Sequence, residues 1–426
     1  MPKHLPTVSE HSFKGLNNVL QAYAKQEGYL KRVNNVDLNK AGDIHKRKGY
    51  TIVDSGNYTS LWSTGNGDHF DRAFGVKNGD LGYIDEYYAF HPILTGKNLT
   101  EKLSFLEIDQ TVYFSSMEIN GKINQKNEVV DYLLKCSILP NVSIVSGSLL
   151  AGKYQLLMTF VNDDGLESGS GQSLIVDVPT DKSGITFLLP SVPYRLRVYM
   201  STRDGSELYF VSEAHPYNQF TILDVPKLVN PFRMFNLDAP PVGSTIRYFK
   251  SRMYVVHKNI LWYSEPFMYE HFRLDTNFIE YPADIIDVMP VDDGMYIAAD
   301  RLYYIDGYDP DKFKQEVKEL ARMYKGTASK VFASHSKVEN LPNSYSWLVT
   351  SDQGILALFN QGQVVNMTLT NVDIEPALEG NSIFMEIEGI NQYLTNLVKR
   401  DTDSPNTSVV GDLVESKIIR NGIEIN

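Results

Sequence analysis

The stretch MYVVHKNILWYSEPFMYEHFRL, beginning at Met253, is followed by a degenerate copy, MYIAADRLYYIDGYDPDKFKQ, beginning at Met295. Each copy runs as a strand, a tight polar turn, a strand ending in aromatics, and a loop holding proline. The offset is 42 residues (295 − 253), within the ~40–50 residues of a four-stranded propeller blade. Fainter copies use the same grammar. AFGVKNGDLGYI from Ala73 places Asn78-Gly79 between apolar runs, and VYFSSMEINGKI from Val112 does the same with Asn120-Gly121. WLVTSDQGILALFNQGQVV from Trp347 offers two turns, at Gln353-Gly354 and Gln361-Gly362. Asn-Gly between alternating strands is a strong hairpin signal, because both turn positions require positive φ. A chain written this way folds by repeating antiparallel modules.

The repeat breaks between about Ser137 and Phe232. There the strands alternate cleanly, with Tyr154, Leu156, Met158 and Phe160 on one face and Leu196, Val198 and Met200 on another. Turns at Asp163-Asp164-Gly165 and Arg203-Asp204-Gly205 fall at sandwich-like spacing. The predicted class is therefore all-β, a β-propeller interrupted by an inserted immunoglobulin- or fibronectin-like β-sandwich. Residues 1–136 are expected to hold an N-terminal segment and the first blades, with blade strands from about Lys40. Residues 137–232 form the insert. Residues 233–426 hold the remaining blades and a last strand, Ser416 to Ile425, after a polar loop from Arg400 to Asn406. Pro226, Pro231, Pro240 and Pro241 predict a stiff return from the insert. Two helices are expected. One follows an Asp309-Pro310 cap, with Phe313, Val317, Leu320 and Tyr324 on one face; the other spans Leu16 to Tyr29.

Composition narrows the function. At 426 residues the chain exceeds the ~250–300 residues at which single cores stop growing. Its 42% hydrophobic and 22% charged residues are those of a folded protein. Tyr (26) and Phe (20) outnumber Trp (3) and sit among Val, Ile and Thr, which suits pleated, half-buried surfaces. The formal net charge of −12 argues against a protein that grips nucleic acid through clustered Lys and Arg, though not against a wall past which DNA slides. The single cysteine, Cys136, permits no intramolecular disulfide and reads as buried filler. No signal-peptide h-region and no membrane span are read. Asn-x-Ser/Thr triplets at Asn57, Asn98, Asn141, Asn366 and Asn406 are read as chance.

No zincin, nucleophile-elbow, Walker or dinucleotide motif occurs, so the chain is read as non-enzymatic, with no catalytic, cofactor-binding or metal-ligating residues and no cofactor. Weaker candidates each have a plainer reading. Ser168-Gly169-Ser170-Gly171 lacks the lysine of a phosphate loop and reads as a hairpin tip. Ser351-Asp352-Gln353-Gly354 resembles the Asp-box of sialidase-type propellers but lacks its Thr-Trp, and reads as a turn. Asp306, Asp309 and Asp311 carry oxygen ligands suited to Ca²⁺ and read instead as a helix cap. His45-Lys46-Arg47-Lys48 reads as a solvated edge.

Taken in order, several segments resemble one family. GLNNV from Gly15 and VNNVDLNKAGDIHKRKGYTIV from Val33 are similar to the N-terminal signature of tail hub or nozzle (packaged-DNA stabilisation) proteins of short-tailed bacteriophages. TVYFSS from Thr111 and LWYSEP from Leu261 resemble their blade strands, and AGKYQLLMTFVNDDGLESG from Ala151 their embedded sandwich. PVDDGMYIAADRLYYIDGYDP from Pro290 and WLVTSDQGILALFNQGQVVNMT from Trp347 resemble later blades. The resemblance implies a structural virion-tail protein made in the bacterial host cytoplasm, a cyclic homo-oligomer of six. It implies contacts with a portal or head-to-tail adaptor and with tail-tip or tail-fibre proteins, and double-stranded DNA passing without sequence-specific binding. It carries over no catalytic residues. The alternative is a glycan-binding or glycan-cleaving propeller of a virion or cell surface. A cellular WD-repeat scaffold is opposed by the missing Gly-His and Trp-Asp signatures.

Overall fold

The computed structural model describes residues 15–19, 28–30, 36–38, 44–46, 51–64, 72–319, 321–336, 344–368, 372–387, 390–399, 416–420 and 423–425. Among these the chain is all-β and of β-propeller type, and its blades are antiparallel meanders in which each strand pairs with the next. Blade 1 holds Tyr58–Ser63, Ala73–Lys77, Asp80–Ile84 and Phe90–Leu94. Blade 2 holds Ser104–Ile108, Thr111–Ser115, Asn120–Ile123 and Val129–Val130. Blade 3 runs Thr245–Phe249, Arg252–His257, Ile260–Glu265 and Met268–Phe272, with Phe278–Glu280 added on its third strand. Blade 4 is Asp287–Pro290, Gly294–Ala298, Leu302–Asp306 and Lys314–Glu319. Blade 5 is Ser329–Phe332, Tyr345–Ser351, Gly354–Leu358 and Val364–Asn366. Blade 6 is Ala377–Ile387, Ile390–Lys399, Ser416–Arg420 and Ile423–Ile425. The copies at Met253 and Met295 are the second and third strands of blades 3 and 4.

Two compact units result, one of residues 57–257 and 261–279, the other of residues 1–56, 258–260 and 280–426. In the first, blades 1 and 2 pack face to face through Phe74, Val76, Leu81, Phe105, Val112 and Phe114. Trp62 stacks on Phe105 there at 5.6 Å. Blades 2 and 3 share Tyr113, Tyr132, Met253, Val255 and Phe272, and the Lys122 ammonium meets the Glu270 carboxylate at 2.7 and 2.9 Å. In the second unit, blades 4 and 5 bury Met289, Tyr296, Tyr304, Trp347, Val349 and Leu356, and blades 5 and 6 bury Val331, Ile355, Phe359, Tyr393 and Leu397.

Between blades 2 and 3 the chain builds a sandwich. A three-stranded sheet orders Val142–Leu149, Ser183–Leu188 and Gln219–Ile222. A four-stranded sheet orders Leu174–Val178, Gly152–Val161, Arg195–Ser201 and Leu208–Ala214. Both pack on one core of Leu149, Tyr154, Leu156, Met158, Ile185, Leu196, Val198, Met200 and Ile222, so the alternation read from the sequence marks the buried faces. Among the described residues, these sheets take no strand from the blades. The immunoglobulin- or fibronectin-like assignment goes further than these pairings and stays an expectation.

Local readings divide. Asn78-Gly79 is a hairpin turn with both residues at positive φ (54° and 88°). Asn120-Gly121 is not a turn: both lie within the strand Asn120–Ile123, opposite Ser115 and Phe114. Gly121 is required because a Cβ would sit 2.7 Å from the Phe114 ring, and Ser116 closes the turn through Glu118 N and Ile119 N. The helix expected after Asp309-Pro310 is absent. A 3-10 turn covers Pro310–Lys312, its Asp309 side chain accepting from Asp311 N, and Lys314–Glu319 is a strand. Ladder bonds to Leu302–Asp306 outcompete the apolar spacing, and the charged strand KQEVKE suits a blade edge. Leu320 lies outside the described residues. At the ends of the segment expected as an N-terminal helix, Gly15–Leu16 and Tyr29–Leu30 pair as parallel strands, while residues 20–27 lie outside the described set. The single last strand expected from Ser416 to Ile425 is instead two paired strands; the expected loop at 400–406 lies outside the described residues.

Candidate functional site

Strand Arg195–Ser201 sends Leu196, Val198 and Met200 into the sandwich core, so Arg195, Arg197 and Tyr199 face outward. Cross-strand register sets Thr159 and Glu213 on either side of Arg197. Opposite charges at paired positions then assemble a lattice. Arg197 donates through Nη1 to Glu167 Oε2 (2.6 Å) and through Nε to Glu213 Oε2 (3.2 Å). Arg195 donates to Glu213 Oε1. Glu167 Oε1 accepts from the hydroxyls of Tyr199 and Thr159, each at 2.6 Å. Burial, then the hydrogen bond to Glu167, pushes the Tyr199 phenol up, so it stays a neutral donor.

A cavity of about 310 Å³ opens over this lattice. Glu167, Arg197, Tyr199 and Glu213 supply its polar lining, and Phe210, Asn230 and Pro231 complete it. Asn230 and Pro231 belong to the return segment, which runs along the strand edge through Phe210 N to Asn230 O (3.2 Å) and Phe232 N to Leu208 O (2.8 Å). The segment returning from the insert thus lines the groove.

Behind Glu167 lies the junction of insert and blades. Cys136 N donates to Gly169 O, and Asn236 N to Ser170 O, so the chain entering and leaving the insert pairs on both sides of one segment. Ser168 and Ser170 are buried, and a Cβ on Gly169 would lie 2.0 Å from Leu237 O. The segment read as a hairpin tip is therefore a buried ladder; its glycine serves close backbone approach. His271, in blade 3, is 4% exposed. Its Nε2 lies 2.7 Å from Glu167 O, while Nδ1 is buried with no hydrogen-bond partner. Burial pushes its pKa down.

The other candidates are scattered. Cys136 packs in the sandwich core with its thiol pushed up by burial. Asp352 lies in a turn, its carboxylate accepting from Arg322 N. Lys46 is exposed at the end of a two-stranded ladder with Val36–Leu38, and residues 47–48 lie outside the described set. Among the described residues no group of His, Cys, Asp or Glu is arranged to hold a metal ion. No helix there is long and apolar enough to cross a membrane. The lattice was not found from the sequence. Its signal was the outward half of an alternation whose inward half was read, Arg195-x-Arg197-x-Tyr199; Glu167 and Asn230 reach it only through tertiary contacts.

No family model and no curated protein matches the chain. Among solved structures it is similar to BBS1N in complex with ARL6DN (11% identity, 82% of this chain and 93% of that one, TM-score 0.35). It is also similar to the Pan2 WD40 domain of Neurospora crassa (9%, 80% and 86%, 0.29) and to apo AztD from Citrobacter koseri (14%, 72% and 85%, 0.25). These scores are too low to carry an argument, and the propeller-type fold rests on the sheets themselves.

Proposed function

We propose that the chain is a non-enzymatic tail hub or nozzle subunit of a short-tailed bacteriophage virion, which retains packaged DNA and lets it pass at ejection. The observation that supports this best is a run of blade-type sheets interrupted by a sandwich, with the N-terminal and later segments quoted above in the order that the family resemblance implies. Packed blades make rigid modules with short edges. A duplex ~20 Å wide does not fit inside one small propeller filled by side chains, so it passes between subunits set around an axis by heterologous contacts. The number six, and the neighbours above (portal or adaptor) and below (tail tip or fibres), come from the resemblance. The net charge of −12 fits a surface that does not hold DNA. The test is a virion lacking this protein: it packages DNA and leaks it, and adding the protein back restores retention. Full retention and infectivity without it overturn the reading in favour of a glycan-binding surface protein.

A further inference from the structure

We infer that the groove over Arg197 is a binding site for a neutral saccharide unit, a property that stands whichever way the virion test falls. Charge balance selects the ligand. Glu167 and Glu213 are each ion-paired with arginine, and two carboxylates against Arg195 and Arg197 leave no net charge. An anion or a cation would have to break those pairs, whereas a hydroxylated ring need not. The lattice is anchored from behind: Thr159 and Tyr199 hold Glu167, and Asn162 O accepts from Arg195 Nη2. The polar groups are therefore fixed in direction before a ligand arrives, which lowers the cost of binding. Among the described residues, no hydrogen bond engages the side-chain amide of Asn230, a residue that lines the cavity. Phe210 and Pro231 supply the apolar side. Planar donors and acceptors beside an aromatic ring suit the hydroxyl edge and C–H face of a pyranose. At about 310 Å³ the groove is at the small end of ligand clefts (~300–1,000 Å³), the size of one sugar and not of a chain.

The experiment is saturation-transfer NMR on the full chain with glucose, galactose, mannose and N-acetylglucosamine. At least one should receive saturation. Two substitutions probe the groove without entering the ion lattice. Asn230 has φ of +53°, so Asn230→Gly removes the amide while keeping the backbone; Phe210→Leu removes the ring and keeps apolar bulk. Each should weaken binding about tenfold, the effect of one lost contact, with the melting temperature unchanged. If Phe210→Leu lowers the melting temperature, Asn230→Gly decides alone. Silence from all four sugars, undiminished binding in Asn230→Gly, or displacement of the sugar by equimolar inorganic phosphate or free glycine overturns the assignment.

Discussion

The insert and the pair formed by blades 4 and 5 spend their polar groups in opposite places. In the blades, polar atoms sit inside the packed interface and reach backbone across it. Tyr296 Oη approaches the carbonyls of Phe359 (2.5 Å) and Gln363 (2.9 Å), and Trp347 Nε1 donates to Pro290 O at 2.7 Å. In the insert the core is apolar, with Tyr154 and Phe187 among aliphatic and methionine side chains, and the ion lattice lies on the outer face of one sheet. A repeated module has many equivalent ways to slide on its neighbour, and a buried donor with one acceptor singles out one of them. A sandwich whose faces are fixed by alternation needs no such device. The insert should therefore depend on the blades only at its junction.

The largest expected effect tests that dependence. Gly169→Val drives a side chain against Leu237 O, a backbone atom that cannot yield, and should cost the full chain about 3 kcal/mol in denaturant unfolding. In a fragment of residues 134–235 the opposing Leu237 is missing, so the same substitution should leave its cooperative unfolding within about 0.5 kcal/mol of the parent fragment. Equal losses in both would mean that the glycine serves the insert itself, and the contrast with the blades would fall.

This contrast also marks where the sequence was legible. Alternation named the buried residues of the sandwich because period two is a property of the strand alone. The hairpin at Asn78-Gly79 was legible because positive φ is paid for locally. Asn120-Gly121 misled for the same reason: its glycine answers to the Phe114 ring across the ladder, a partner no window of sequence displays. Phe313, Val317, Leu320 and Tyr324 have helical spacing, yet the open edge of blade 4 claimed Lys314–Glu319, since tertiary pairing overrides propensity. The groove was hidden because Glu167, Arg197 and Asn230 converge from three separate segments.

A middle-sized effect should appear inside the blades. Tyr296→Phe removes the shared donor of two carbonyls and leaves the Phe359 carbonyl buried without it. It should cost about 1–3 kcal/mol. If the hydroxyl sets the register of blade 4 on blade 5, hydrogen exchange should rise at residues 359–366 as well as around 296. A loss of stability with exchange confined to the strand Gly294–Ala298 would show that the hydroxyl fills space and sets nothing.

The smallest effect lies at the junction of the insert with blade 3 and is silent at neutral pH. His271 fastens blade 3 to the insert through Nε2 and Glu167 O, which fixes the neutral ring with its proton on that nitrogen. Facing it are the carboxylates of Glu265, Glu270 and Glu167, held respectively by Arg273, Lys122 and Arg197. Burial is the largest influence and places the folded pKa below the ordinary histidine value of about 6.5. The unfolded chain therefore takes up the proton first as pH falls. Stability from this group is intact above about pH 6.5 and declines below it until the folded ring also titrates, at up to about 1.4 kcal/mol per pH unit. His271→Gln keeps a donor at the Nε2 position and cannot titrate. It should match the parent within about 0.5 kcal/mol at pH 7.5 and lose less stability than the parent between pH 6.5 and 5. Parallel pH profiles for the two proteins would mean that the unpartnered Nδ1 finds a ready acceptor on protonation, and that the junction is no more sensitive to acid than the blades it joins.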